Sequence, residues 1–230
     1  MTKHLQRDLE SVYNELLTLS AVVEEMIDHA ALALIERRYD LANSVIESDA
    51  TVDQREVRIE EECLKVLALH QPVAIDLRRI AAAIKINNDL ERIADLAVNV
   101  AERSLSLDEF IGFPVPQKMS RMVSLATQMV RGSLDAFVNL DTSAAKRIMS
   151  MDETIDELNV EVINDLQLLM QSDSDMVIPA LHCFSASRHI ERIADHATNI
   201  AEDVIYLVAG DIVRHQHIEC NSKLDNVENG

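Results

Sequence analysis

Residues 188–203 read RHIERIADHATNIAED, and residues 88–103 read NDLERIADLAVNVAER. Laid over one another, Glu91, Arg92, Ile93, Ala94, Asp95, Asn99, Ala101 and Glu102 recur as Glu191, Arg192, Ile193, Ala194, Asp195, Asn199, Ala201 and Glu202. An internal repeat limits the architecture before any propensity is consulted. This one also repeats an ExxxD pair, which sets like charges one helical turn apart, an arrangement that helix energetics disfavour.

Outward from the motif, the chain reads as helix almost throughout. Only four glycines and four prolines interrupt it, and apolar residues recur at three- and four-residue spacing with little alternation. A first helix is expected from about Leu5 to Arg38, and a second, capped by Asp40, to about Leu69. After Gln71-Pro72 a third carries the first motif to about Leu107. FIGFPVP, starting at Phe110, holds one glycine and two prolines and reads as a linker. A fourth helix then runs to about Asn139. A fifth runs from Asp141-Thr142 to just before Gln171, and a sixth, with Pro179 in its first turn, is stopped by Gly210.

The duplication reaches beyond the motif. Ser48-Asp49-Ala50-Thr51-Val52-Asp53 aligns with Met151-Asp152-Glu153-Thr154-Ile155-Asp156, three residues further apart than the motif copies. Each unit is therefore three helices, and short connections make sequential helices antiparallel. The expected fold is all-α: two tandem antiparallel three-helix bundles. The first spans residues 1–110 and the second 117–214, with a linker at 111–116 and a polar tail at 215–230.

On a helical wheel Ile80, Ala83, Ile84, Leu90, Ala94, Ala97 and Val98 fill one arc, with Glu91 at its rim and Asp95, Asn88 and Asn99 stepping toward the polar side. Phe184, Ile190, Ala194, Ala197 and Thr198 make the matching arc in the second copy. On the preceding helix Asp49 and Asp53 flank the arc of Val45, Val52, Ile59 and Cys63, with Glu56 and Glu60 in phase. At about 1.5 Å of rise per residue, a turn near His70 puts Asp49 opposite roughly residue 92 and Asp53 opposite roughly 88. A turn near Ser172 puts Asp152 opposite roughly 192. Both bundles thus bring an aspartate pair level with an ExxxD pair.

Like charges at i,i+4 cost roughly 0.2–0.5 kcal/mol per exposed pair, and more where a lower dielectric strengthens the repulsion. Either some carboxylates take up protons or a cation sits among them. The candidate donors are Asp49, Asp53, Glu91, Asp95 and Asn99 in one bundle and Asp152, Asp156, Glu191, Asp195 and Asn199 in the other. Oxygen ligands suit magnesium, calcium or manganese, and iron and zinc also accept carboxylates.

Composition excludes several function classes. A net charge of −19 with 3 % aromatic residues opposes nucleic-acid binding, and 48 % hydrophobic content opposes a disordered chain. No apolar run reaches the length of a membrane span, and the N-terminus has no signal-peptide core. Three widely spaced cysteines, Cys63, Cys183 and Cys220, suit a reducing compartment, so a cytoplasmic location is expected.

The two ERIAD motifs, each continued by Asn-x-x-Glu, resemble the E(D)xxxD signatures of the PhoU family. So do the HQPVAIDLR turn and the SMDETID segment, and the likeness extends from about Leu9 to Gly210. Ala94 and Ala194 stand where many members have glycine. The resemblance implies a metal-binding negative regulator of phosphate uptake and starvation signalling rather than an enzyme. Its implied partners are the ATPase subunit of a phosphate ABC transporter and a phosphate-sensing histidine kinase, and the implied assembly is a homodimer. Carried over, the implied ligands are Glu91, Asp95, Glu191 and Asp195, with Asp49, Asp53, Asp152 and Asp156 as companions. The implied metals are iron or zinc, and in other members manganese or magnesium, including multinuclear clusters.

Two other functions fit a bundle of this composition. A carboxylate-bridged di-metal oxidoreductase usually draws ExxH motifs from paired helices, and none occurs here. An acidic scaffold would leave the carboxylates merely solvated. His29 falls near the height of Asp49 and could join the donors, but Gly132 replaces it in the second repeat. Cys63 and Cys183 fall in apolar arcs, and Met119, Met122 and Met129 read as packing. No glycine-rich phosphate loop, GxSxG or Cys–His pairing is present, so recognition of phosphate by the chain itself is not expected.

Overall fold

The computed structural model describes residues 3–210. The tail read from residue 215, with His215, His217 and Cys220, lies outside the described residues. Six long helices follow in order: α1 (Lys3–Glu36), α2 (Tyr39–His70), α3 (Ala74–Ser106), α4 (Lys118–Asn139), α5 (Thr142–Ser172) and α6 (Val177–Ala209). A single 3-10 turn, Ser174–Met176, leads into α6. Among the described residues there is no strand.

Local chemistry accounts for most of the boundaries. Asp141 caps α5, accepting from the backbone N–H groups of Ser143 and Ala144 at 2.9 Å each. Gly210 closes α6 in the left-handed conformation, φ 78°, donating its N–H to the Tyr206 carbonyl. Pro179 lies in the first turn of α6, where a missing N–H costs nothing.

Two expected boundaries are corrected. Asp40 does not cap α2: Arg38 occupies the cap position without a side-chain bond, and Asp40 lies inside the first turn, held by the Arg38 guanidinium at 2.9 and 3.0 Å. Helix α5 continues through Gln171 to Ser172, because the capping side chain is Asp173, which receives the N–H of Asp175 and starts the 3-10 turn.

Leu16, Leu19 and Val23 of α1, Val45, Val52 and Ile59 of α2, and Ile80, Ile86 and Ile93 of α3 are buried at the spacings read from the sequence. Met119, Met122 and Met129 of α4, Ile155 and Val162 of α5, and Ile193 and Ile200 of α6 form the equivalent set. Fully burying each large apolar side chain is worth about 1.5–3 kcal/mol. Cys63 and Cys183 are completely enclosed, and burial pushes both thiols up to about 12, far from a reactive thiolate.

A continuous apolar core joins all six helices. Helices α3 and α6, which carry the motifs, run antiparallel against each other. Lys85 Nζ lies 2.8 Å from Asp203 Oδ1, and His196 Nδ1 lies 2.8 Å from Asp89 Oδ1. On the other side Arg131 of α4 reaches Glu24 and Asp28 of α1 at 2.7 and 3.0 Å.

The segment between the repeats is packed rather than free. Leu107 and Phe113 are buried, and Arg37 donates from its guanidinium to the carbonyls of Leu107, Phe110 and Phe113 at 3.0–3.3 Å. Arg37 itself holds the left-handed conformation, φ 58°, that turns α1 into α2; Leu140, φ 53°, does the same between α4 and α5. Both turns cost a non-glycine residue roughly 1–2 kcal/mol.

Candidate metal centre

The motif acids lie in the grooves between α2 and α3 and between α5 and α6. Glu91 and Asp95 are partly exposed, at 24 % and 42 %, and Glu191 is more enclosed, at 14 %. This is the rim position read from the wheel. Ala94 and Ala194 are completely buried, so their methyls fit the helix crossings. Phe184, expected within the apolar arc, is instead 38 % exposed.

The two rows meet in both bundles, about one helical turn further along than the turn positions suggested. The Asp49 carboxyl is pushed up by burial, then by Asp53 and Asp95. Glu91 is raised by burial and by Asp95, against the pull of Arg92, with Asp53 and Glu56 adding to the rise. Asp49 therefore faces the neighbourhood of Asp95 rather than residue 92. The shift arises because α2 runs through His70 and the turn centres on residues 71–73.

The second bundle repeats the register. Asp152 is raised by burial and Asp156, while the Thr198 hydroxyl, donating at 3.3 Å, holds it back. Asp195 is pushed up to about 6 by burial and then by Asp152, Glu191 and Asp156, with His196 opposing. Asp195 is exposed over much of its side chain, so solvent reaches one flank of this crowded carboxyl.

Other contacts were not legible from spacing. Asn87, completely buried, donates from Nδ2 to the Glu56 carbonyl at 2.8 Å and to Glu56 Oε1 at 3.1 Å. Glu56 is raised by burial, Glu60 and Asp53, and so belongs electrostatically to the first row. In the second repeat its place is taken by the neutral Asn159, and that of Asn87 by Ser187. Arg188, where the first repeat has Asn88, holds Glu191 Oε1 at 2.6 Å. Glu191 Oε2 is buried with no hydrogen-bond partner. In the first bundle Arg92 instead stands 3.5 Å from Glu91 and 3.6 Å from Asp95.

The remaining candidate donors make contacts of their own. Asn99 turns its amide onto the Asp95 carbonyl of its own helix at 2.7 Å, and Asn199 is exposed. The His29 ring lies 3.9 Å from Glu25, one turn away on α1. Among the described residues, no three histidine, cysteine or acidic side chains stand close enough to hold an ion as they are placed. The donor chemistry nevertheless fits a cation: Asp49, Glu91 and Asp195 are each raised by burial and by acids of the neighbouring helix, and one buried oxygen has no donor.

A family model described as the PhoU domain matches residues 16–104 and 119–204, the two halves of the duplication. The chain belongs to the PhoU family. A phosphate-specific transport system accessory protein PhoU homolog of Aquifex aeolicus is 40 % identical over 215 residues, covering 94 % of this chain and 97 % of that one. The Pseudomonas aeruginosa homolog is 39 % identical over 220 residues, covering 94 % and 91 %. The crystal structure of PhoU from Pseudomonas aeruginosa superposes with a TM-score of 0.87 at 39 % identity, covering 90 % of this chain and 99 % of that one. That of the phosphate transport system regulatory protein PhoU from Streptococcus pneumoniae gives 0.85 at 28 %, covering 91 % and 99 %. The six-helix duplicated architecture is thus that of PhoU.

Proposed function

We propose that this PhoU-family chain is a metal-binding negative regulator of phosphate uptake and phosphate-starvation signalling. It acts in the cytoplasm, as a homodimer, as an adaptor between the ATPase subunit of a phosphate ABC transporter and a phosphate-sensing histidine kinase. The names of its relatives, accessory and regulatory proteins of phosphate transport, support the physiological part. The metal part is supported by one observation above all: in each bundle an aspartate row lies beside an ExxxD row, and burial with neighbouring acids raises Asp49 and Glu91 in the first and Asp152 and Asp195 in the second.

Asp49, Asp53, Glu91, Asp95 and Asn99 are proposed to hold cations in the first bundle, and Asp152, Asp156, Glu191, Asp195 and Asn199 in the second. Iron or zinc is the leading assignment, with manganese or magnesium next and more than one ion per row. A bound cation supplies the positive charge that lets facing carboxylates ionise together. The acids then tie α2 to α3 and α5 to α6 through their side chains. In the second bundle Glu191, held by Arg188 at 2.6 Å, would exchange that guanidinium for the cation.

The test is elemental analysis and equilibrium dialysis of tag-free protein beside an Asp95→Ala, Asp195→Ala double variant. Bound metal in the native protein and a large loss in the variant are expected. Equal retention by the two proteins returns the acids to the role of a solvated scaffold. Deleting the gene should derepress phosphate uptake; an unchanged phosphate response removes the regulatory assignment.

A further inference from the structure

The two acid grooves are copies in sequence but not in charge. Where the first has Glu56 and Glu60 on α2, the second has Asn159 and Ile163 on α5. Asn87 and Asn88, shortly before the first ERIAD, become Ser187 and Arg188 before the second, and Val98 becomes Thr198. Both copies keep the arginine of ERIAD itself, Arg92 and Arg192, so Arg188 is one cation more. The second groove therefore has two acids fewer and one base more than the first.

Side-chain contacts carry the difference into three dimensions. In the first groove the buried Asn87 amide donates to the Glu56 carbonyl at 2.8 Å and to Glu56 Oε1 at 3.1 Å. Both neighbours are acceptors, so the amide faces them with its nitrogen. The bond pins Glu56 across the groove between α2 and α3. Asp53 lies one turn from Glu56 along α2, and Glu91 one turn from Asn87 along α3. Asn88 spends its own amide on the Ile84 carbonyl at 3.1 Å, and Arg92 makes only looser ion pairs, at 3.5 Å to Glu91 and 3.6 Å to Asp95. In the second groove Arg188 holds Glu191 Oε1 at 2.6 Å, and the Thr198 hydroxyl donates to Asp152 at 3.3 Å. There the chain itself serves an acid from each helix.

The first groove can accept a cation without giving up a strong partner, whereas in the second Glu191 must release a guanidinium already bonded to it. Arg188 sits three residues from Glu191 on the same helix, so once released it stays close enough to repel a cation and to compete for the carboxylate. Its side chain is 48 % exposed and has solvent to swing into. We propose that the two centres are unequal: Glu56, anchored by Asn87, enlarges the first and gives it the tighter hold on divalent cations, while Arg188 is the resident counter-ion of the second, which fills only at higher metal supply. This rests on the metal reading of the acid rows, and adds to it an order of filling and two residues, Glu56 and Arg188. The second centre is then the one whose occupancy follows the metal supply.

The test is a calorimetric titration of the full-length, tag-free, chelator-treated protein with zinc chloride at constant ionic strength. Two classes of binding are expected. Asp95→Ala should remove the tight class and Asp195→Ala the weak one. Arg188→Asn, which restores the residue type of the first repeat, should tighten the weak class by about tenfold and leave the tight class where it was. Glu56→Gln keeps an oxygen for Asn87 but drops the charge, and should weaken only the tight class, by about tenfold. If Glu56→Gln fails to fold, the solvent-facing Arg188→Asn carries the test. A single class of equal sites, loss of the tight class in Asp195→Ala, or a weak class unmoved by Arg188→Asn would overturn the proposal and leave the metal reading standing. Absence of zinc binding in the native protein would remove the metal reading, and the proposal with it.

Discussion

Removing the charge of Asp195 should stabilise the metal-free protein at neutral pH. Its carboxyl is raised from 3.8 to about 6 by burial and by Asp152, Glu191 and Asp156. Because the folded value lies above the unfolded one, the native state holds more protons between about pH 4 and 6. Stability from this group is therefore full below that window, is lost as pH rises through it, and is flat above. A shift of that size corresponds to roughly 3 kcal/mol if taken whole. Asp195 is exposed along one flank, and solvent screening reduces this to about 1 kcal/mol. Asp195→Asn keeps the shape and drops the charge. Calorimetry in chelator should show its Tm about 2–4 °C above that of the native protein near pH 7.5, with the gain vanishing near pH 4. Addition of the bound metal should reverse the order, because the native protein alone keeps the full ligand set. A Tm that falls at pH 7.5 without metal, or a gain of equal size at both pH values, would refute the claim that the acid rows repel one another.

Two further substitutions test how the frame holds these rows. Arg37→Ala removes three donors to the inter-repeat carbonyls and should cost about 2–4 kcal/mol in urea unfolding. Arg37→Gly should lose about 1 kcal/mol less, since glycine relieves the left-handed turn. Asp141→Ala strips two backbone donors of their cap and should cost about 1 kcal/mol. Asp40→Ala, at the equivalent turn, breaks a surface pair with Arg38 and should leave the urea midpoint nearly unchanged; comparable losses at the two sites would show that capping is not what distinguishes them.

The six helices, their duplication and the shared face of each acid pair were legible in the chain because each rests on local rules. Helical period places Glu91 beside Asp95, glycine ends α6, and an aspartate before a threonine starts α5. The linker at residues 111–116 is legible from its prolines, but its docking under Arg37 is not, since those contacts join residues seventy or more apart. The height match between Asp49 and the motif was predicted one turn short, because a turn's centre depends on where packing lets each helix end. Asn87 against Glu56 and Arg188 against Glu191 are side-chain choices made only once two helices share a groove.

Local spacing determined which residues each helix could offer, and tertiary packing decided which of them meet. The seam of α3 and α6 shows the difference most directly. In sequence, Lys85, Asp89, Arg103 and His189 are scattered charges of no evident pattern. The antiparallel crossing pairs Lys85 with Asp203 and Asp89 with His196, and brings Arg103 near enough to act on His189. Electrostatic energy depends on separation in space, and a helix pair brings together charges that lie a hundred residues apart along the chain.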